Sequence, residues 1–183
     1  MRRNLLHNIE FFSISLILVA TASRFIPHPP NFTPIISISL LAGYSFRNKL
    51  KSFLIPLVSM FVSDLFLGLH STIWAVYLSF VTVVFLGFLL RNNFTYIRLF
   101  GLVSISSFLF YLITNFAVWA TTGMYPHTLA GLLQCYFFGL PFYKPSPIEM
   151  FGLAYLGDLI YSFTLFVAYD FAAKRIYAHK QNP

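Results

Sequence analysis

Charged side chains are scarce in this sequence, where only 9% of the 183 residues are Asp, Glu, Lys or Arg. Soluble domains carry about 25% charged residues, so a chain this poor in charge cannot cover itself against water. Hydrophobic residues make up 58%, and Phe alone contributes 23 residues. The composition therefore predicts an integral membrane protein whose apolar surface faces the lipid bilayer.

Cysteine and the common catalytic motifs are also nearly or wholly missing. Cys135 is the single cysteine, which excludes an intrachain disulfide framework and a zinc site built from cysteines. No GxSxG, HExxH or Walker motif is present, although hydrolases, metalloproteases and nucleotide-binding proteins carry these. The spacing of the histidines matches no metal motif. We therefore expect no enzyme activity, no metal and no cofactor.

Acidic residues are few, five against twelve Lys and Arg, and the formal net charge is +7. The basic residues form short clusters between apolar runs. Such clusters set the orientation of a membrane protein, because loops rich in Lys and Arg stay in the cytoplasm. We interpret the charge as a topology signal and expect no nucleic-acid partner.

Long apolar runs organise the chain, and the absence of a linker predicts a single domain over residues 1–183. A membrane-spanning helix needs about 20 apolar residues. Five runs approach or meet that length, namely residues 9–23, 53–69, 72–90, 99–120 and 151–173. A sixth run, 33–46, is short, and a seventh, 128–143, contains Gly and Pro.

The distribution of charge discriminates between the topologies. If 33–46 spans and 128–143 does not, ten Lys and Arg lie inside and only Arg24 and Lys144 outside; letting 128–143 span gives eight against four. The positive-inside rule therefore favours an all-α protein with six transmembrane helices and both termini cytoplasmic. We expect it to be a multi-pass protein of the inner (cytoplasmic) membrane. A short interfacial or re-entrant helix is predicted at residues 129–138, between helices five and six.

A proline-rich segment, RFIPHPPNFTPI at residues 24–35, separates the first two helices. The second helix covers only about two-thirds of a ~30 Å hydrocarbon core, so this segment is expected to lie partly at membrane depth. Irregular backbone is tolerated there only where protein buries it or where it lines a wet cavity. The segment is thus either a wall of an outward-facing cavity or a plain connection between helices.

Polar side chains are predicted on several helices in the outer half of the bundle. Asp64, Asn115 and Asp158 belong to three different helices, and Tyr111, Asn115 and Trp119 follow an i, i+4, i+8 spacing along one helix face. A carboxylate facing lipid is costly, so these groups should turn toward the bundle interior or a water-filled pocket.

Arg24, at the outer end of the first helix, is expected within reach of either aspartate. A buried ion pair that only holds the bundle together is the structural alternative to a binding site. The candidate substrate-binding residues are Arg24, His28, Asn31, Asp64, His70, Tyr111, Asn115, Trp119, Tyr125, His127 and Asp158.

Five segments of the sequence also resemble those of a known family. They are RFIPHPPNFTPI (24–35), SDLFLGLH (63–70), TNFAVW (114–119), YPHTLAGLLQCYFFGLPF (125–142) and GDL (157–159). They resemble an uncharacterised bacterial family of six-helix membrane proteins with no established activity. In helix count and outer pocket, that family is similar to the substrate-binding (S) components of energy-coupling factor (ECF) vitamin transporters.

This second likeness implies capture of a small molecule from the outer side and an ECF-type energising module as a partner. S components dock to that module through small residues at four-residue spacing on helix one. Here the small residues Ser13, Ser15, Ala20 and Ala22 do not form that spacing, so docking is not predicted from the sequence itself.

Three functions follow in order of preference. The first is a substrate-binding transport protein whose pocket holds an unknown small molecule. The second is a structural or scaffolding membrane protein without a ligand, in which the polar groups join the helices. The third is a membrane-embedded enzyme using the two aspartates as acid and base, against which the missing nucleophile and metal motifs argue.

Overall fold

A computed structural model of the chain describes residues 2–29, 31–138 and 147–178. These ranges contain α-helices and connecting segments, with no β-strand among them. The helices are α1 (Arg2–Ala22), α2 (Ile35–Ser45), α3 (Lys49–Leu67), α4 (Ile73–Phe88), α5 (Tyr96–Thr121), α6 (Leu129–Phe138) and α7 (Pro147–Ala178). The predicted all-α fold is confirmed, and a helix occurs at each predicted run. Residues 139–146, which include the end of the predicted run 128–143 and Lys144, lie outside the described residues.

Four segments are long and apolar enough to cross a membrane: His7–Phe25, Lys49–Leu67, Tyr96–Thr121 and Gly152–Ile176. The helices α2, α4 and α6 have 11, 16 and 10 residues, fewer than the about 20 residues of a typical span. The chain is therefore a membrane-type helical protein by the length and composition of its helices.

The helices α1 to α5 and α7 alternate in direction, and specific contacts identify the two ends of the bundle. At one end, the Lys51 ammonium pairs with Glu10 at 2.6 Å, and Arg91 Nε donates to the Gly43 carbonyl at 2.7 Å. We call this the basic end. At the opposite end lies the connection of residues 23–34, which we call the elbow. Most Lys and Arg with described side chains lie at the basic end, namely Arg47, Lys49, Lys51, Arg91, Arg98, Lys174 and Arg175.

Side-chain caps and one glycine fix where the helices begin and end. The Asn48 side chain accepts a hydrogen bond from the Leu50 N–H at 2.8 Å and so begins α3. Thr95 accepts from the Arg98 N–H at 3.2 Å and begins α5. Such caps satisfy N–H groups that have no partner within the helix. Gly68 ends α3 with a φ of 107°, a conformation that glycine adopts without steric cost.

The short α2 helix lies in the interior of the bundle. It contacts α1, α3, α4, α5 and α7, and side chains from all of its faces are buried. Arg91 donates to the carbonyl oxygens of Gly43 and Phe46 at its C-terminal end. Carbonyl groups in the last turn of a helix have no intrahelical partner. The Arg91 guanidinium therefore supplies the hydrogen bonds that a buried α2 terminus needs.

The helices α2 and α4 approach closely through a pair of glycines. A Cβ atom at Gly43 would lie 2.3 Å from the Val84 carbonyl oxygen and 2.9 Å from the Gly87 Cα. A Cβ at Gly87 would lie 2.5 Å from the Leu40 carbonyl oxygen. These neighbours are backbone atoms, so they cannot rotate away as a side chain would. Close packing of small residues is a main source of attraction between helices in lipid.

Replacing either glycine with alanine is expected to force α2 and α4 apart. We predict that Gly43→Ala and Gly87→Ala each lower the free energy of unfolding by about 1–3 kcal/mol, as overpacking does. Thermal unfolding of the purified protein measures this. Gly101→Ala in α5 is the matched control, because a Cβ there meets no atom within 4 Å. Equal stability of Gly43→Ala and Gly101→Ala would refute the close approach.

Candidate functional site

A cavity of about 420 Å³ lies near the elbow. The elbow and the six helices α2 to α7 all contribute residues to its wall, together with the segments 68–72 and 122–128. The wall is mainly apolar and includes Ile36, Val76 and Phe110. Small-molecule sites are typically apolar clefts of ≈ 300–1,000 Å³ with a few placed polar groups. The cavity has the size and the composition of such a site.

Eight of the eleven candidate residues surround this one cavity. They are Arg24, Asn31, Asp64, His70, Tyr111, Asn115, Tyr125 and Asp158. These residues come from the elbow, three long helices and two connecting segments, and span more than 130 positions of the sequence. The fold thus brings together polar groups that the sequence places on separate elements.

Three candidate residues do not line the cavity. His28 is exposed on the elbow, with its Nδ1 atom 2.9 Å from the Pro29 carbonyl oxygen. Trp119 donates from Nε1 to the Pro126 carbonyl oxygen at 3.0 Å, and the His127 ring packs edge-on against the Trp119 indole. These two rings join the end of α5 to the segment that follows it.

The position of Trp119 follows from the geometry of α5. An α-helix turns about 100° per residue, so a strict four-residue spacing drifts by about 40° at each step. Relative to Tyr111, Trp119 is rotated by about 80° and Val118 by only about 20°. Val118 accordingly lines the cavity.

Arg24, Asp64 and Tyr77 form a closed polar network on one side of the cavity. Arg24 Nη1 lies 2.7 Å from Asp64 Oδ1, and the two side chains are 12% and 7% exposed. The Tyr77 hydroxyl donates to Asp64 Oδ2 at 2.6 Å, and Arg24 Nη1 also donates to Ser63 Oγ. Both oxygens of Asp64 therefore have partners, and this ion pair joins the end of α1 to α3.

Asp158 on α7 has a different environment. Its Oδ2 atom accepts a hydrogen bond from the Ser107 hydroxyl at 2.6 Å, and the residue is 8% exposed. The ion pairs of the described residues are Arg24–Asp64, Lys51–Glu10 and Lys174–Asp170, so Asp158 takes part in none of them. Burial of a carboxylate without a cation is costly. Asp158 is therefore the polar group of this wall that most needs a partner.

The α6 helix closes the cavity by packing against α5. The Cys135 thiol donates to the Asn115 carbonyl oxygen at 3.3 Å. Tyr136 donates to the Leu112 carbonyl oxygen at 3.1 Å, and Tyr111 donates to the Tyr136 carbonyl oxygen. The predicted helix at 129–138 is confirmed, and its bounds agree with those of α6. It forms one wall of the cavity.

Several wall residues were not identified as candidates from the sequence. Thr33, Thr72, Ser107, Thr114 and Tyr155 also line the cavity. A signal existed for Ser107, which lies four residues before Tyr111 and eight before Asn115 on the face that α5 turns to the cavity. Tyr125 is nearly buried, and burial raises the pKa of its phenol above the ordinary value. Its hydroxyl is thus protonated at neutral pH.

In residues 2–29, 31–138 and 147–178, no group of three His, Cys, Asp or Glu side chains is placed to hold a metal ion.

Breaking the Arg24–Asp64 pair is expected to destabilise the protein strongly. We predict that Arg24→Met costs about 3–5 kcal/mol, because it leaves a buried carboxylate without its cation. The double change Arg24→Met with Asp64→Leu should cost less. Thermal unfolding compares these with Lys51→Met, which removes a more exposed pair and should cost at most about 1 kcal/mol. If Arg24→Met and Lys51→Met are equally stable, the network is not structural.

Comparison with known proteins supplies the family. The model of a family of unknown function, DUF6580, matches residues 6–180. No curated protein and no solved structure matches the chain. The likeness to S components of ECF transporters is thus not shown by any comparison and stays a prediction. Because the match covers nearly the whole chain, this protein belongs to DUF6580.

Proposed function

We propose that this protein is a substrate-binding membrane transport protein that holds a small molecule in the cavity beneath the elbow. The observation that carries the proposal is a cavity of about 420 Å³ whose wall includes Arg24, Asp64, Asn115 and Asp158 within a largely apolar bundle. Polar and ionisable groups inside a membrane are expensive and are found mostly where a substrate or ion passes.

The proposed topology has six spanning helices, namely α1 to α5 and α7. The helices α2 and α4 are short, but α2 is buried by protein on every side. The elbow backbone that extends it lines the cavity at Asn31 and Thr33, as irregular backbone at membrane depth requires. The concentration of Lys and Arg at the basic end supports a cytoplasmic location for that end and for both termini. The elbow then faces outward from the inner membrane.

Cysteine labelling tests this topology. Cys135, the single native cysteine, is buried and should react slowly with a membrane-impermeant maleimide. Ser71 and Asn92 are exposed at opposite ends of the bundle. We predict that Ser71→Cys is labelled in intact cells and that Asn92→Cys is labelled only after the cells are permeabilised. Labelling of Asn92→Cys in intact cells would contradict the proposed orientation.

Two of the small residues that could have formed a docking strip for an energising partner are buried. Ser13 and Ala20, two of the small residues on α1, are 0% and 4% exposed. They pack inside the bundle, so they cannot form a docking strip for an ECF-type module. A docking surface for such a module would have to exclude these two residues. We propose no catalytic role, since the wall hydroxyls of Ser107 and Thr114 are engaged as donors to Asp158 and to a backbone carbonyl.

A structural role is the second candidate function, and one observation favours it. The Arg24–Asp64–Tyr77 network satisfies both Asp64 oxygens without a ligand, as it would in a scaffolding protein. Such a protein would need no hollow beside the network. The cavity is therefore the feature on which the two functions differ.

Filling the cavity separates the two functions. Val118 lines the cavity on α5, whereas Val62 on α3 is exposed on the outside of the bundle. We predict that wild-type protein and Val62→Phe retain a small molecule after gentle purification, and that Val118→Phe loses it while its unfolding temperature stays similar. Native mass spectrometry measures retention. A wild-type protein without any bound small molecule, indistinguishable from Val118→Phe, would favour the structural role.

A further inference from the structure

With Asp158 ionised, the charged side chains of the cavity wall sum to one negative charge. The wall's charged side chains among the described residues are Arg24, Asp64 and Asp158. Arg24 and Asp64 compensate each other at 2.7 Å. With His70 counted as neutral, the Asp158 carboxylate is left over. No Lys, Arg or His of the described residues pairs with it.

The N-terminus of α2 does not cancel this charge. Ile35 and Ile36, in its first turn, line the cavity. The dipole of a helix places roughly +0.5 elementary charge at its N-terminus, about half of what the carboxylate carries. The cavity therefore remains attractive to a cation.

Several hydrogen-bond donors of the wall are already engaged, whereas two of its acceptor oxygens are not. The hydroxyls of Ser107, Thr114 and Tyr111 donate to Asp158, to a carbonyl of α5 and to a carbonyl of α6. Asn115 donates from Nδ2 to the Tyr111 carbonyl oxygen at 2.9 Å, which leaves its Oδ1 as an acceptor. No hydrogen bond to Asp158 Oδ1 or Asn115 Oδ1 occurs within the described ranges. A ligand with N–H donors would satisfy both oxygens.

Aromatic rings complete the wall. Phe110, Tyr111, Tyr125 and Tyr155 all line the cavity. The face of an aromatic ring attracts a cation within about 6 Å of its centroid, most strongly where water is excluded. A charged carboxylate, amide oxygen acceptors and aromatic rings together form a wall suited to an organic ammonium group.

We infer that the ligand of this cavity is a small organic monocation with a protonated amine, which pairs with Asp158 and donates to Asn115. This inference rests on the proposed function, since it names the chemical class of the bound molecule. The Arg24–Asp64 pair is then part of the frame and Asp158 is the residue that recognises charge.

A set of matched probes tests the charge of the ligand. Benzylamine, benzyl alcohol and benzoate have similar size and are cationic, neutral and anionic near neutral pH. We expect benzylamine, at millimolar concentration, to raise the unfolding temperature of the full-length protein in lipid nanodiscs more than the other two do. Stabilisation by benzyl alcohol or benzoate that equals or exceeds that of benzylamine would overturn the inference. So would a copurified molecule that is neutral or anionic.

Two variants test whether benzylamine binding depends on Asp158. Asp158→Asn keeps the size and removes the charge, and we expect it to weaken benzylamine binding about ten- to hundredfold, as loss of a charged hydrogen bond does. Asp170→Asn, on the same helix but paired with Lys174 at the basic end, should leave binding unchanged. Unchanged binding in Asp158→Asn would overturn the assignment. If this variant does not fold, the comparison of the three probes on the wild-type protein decides.

The inference and the proposed function fail in different ways. Binding of a neutral or anionic probe that Val118→Phe blocks would reject the cationic ligand and retain a binding protein. Absence of binding by all three probes, with no copurified molecule, would reject both. Benzylamine binding that depends on Asp158 supports both.

Discussion

The α2 helix is only 11 residues long, yet protein surrounds it on every side, and the cavity exists because this helix ends early. It covers roughly 16 Å, about half of a hydrocarbon core. Beyond its N-terminus the long helices continue, so the space that α2 leaves must be closed by other means. The elbow and α6 close it only in part, and polar side chains of the long helices face what remains. Close contact of Gly43 with α4 holds α2 at this depth.

Two aspartates near the same cavity illustrate how environment determines the role of a carboxylate. Asp64 has an arginine at 2.7 Å and a tyrosine hydroxyl at 2.6 Å, so it needs nothing further. Asp158 has one serine hydroxyl and no cation among the described residues. Removing either partner of a satisfied buried pair destabilises a protein. A buried carboxylate without a cation is itself unfavourable, and a cationic ligand can compensate its charge. In the proposed function, Asp64 therefore serves stability and Asp158 serves recognition of the ligand.

The helices could be predicted from the sequence because apolar length and the positions of Gly and Pro are local properties. The α6 helix was predicted at its observed bounds for this reason. Which charged side chains form an ion pair is not a local property. Arg24 was expected within reach of either aspartate, and only the packing of α1 against α3 selects Asp64. Ser107 was missed although it lies four residues before Tyr111, because the sequence does not show that Asp158 packs against it. Trp119 was included because a four-residue spacing ignores the drift of a helix face.

Buried serines show why polarity alone does not identify a site in this bundle. Many of them, including Ser13, Ser59 and Ser79, donate to the carbonyl oxygen four residues earlier, at 2.8 Å. Each of these hydroxyls is thus hydrogen-bonded within its own helix, and the small side chain allows helices to pack closely. A carboxylate has no such local solution, because it carries no donor of its own when ionised. The cavity is therefore distinguished by Asp158, whose partner has to come from another helix or from a ligand.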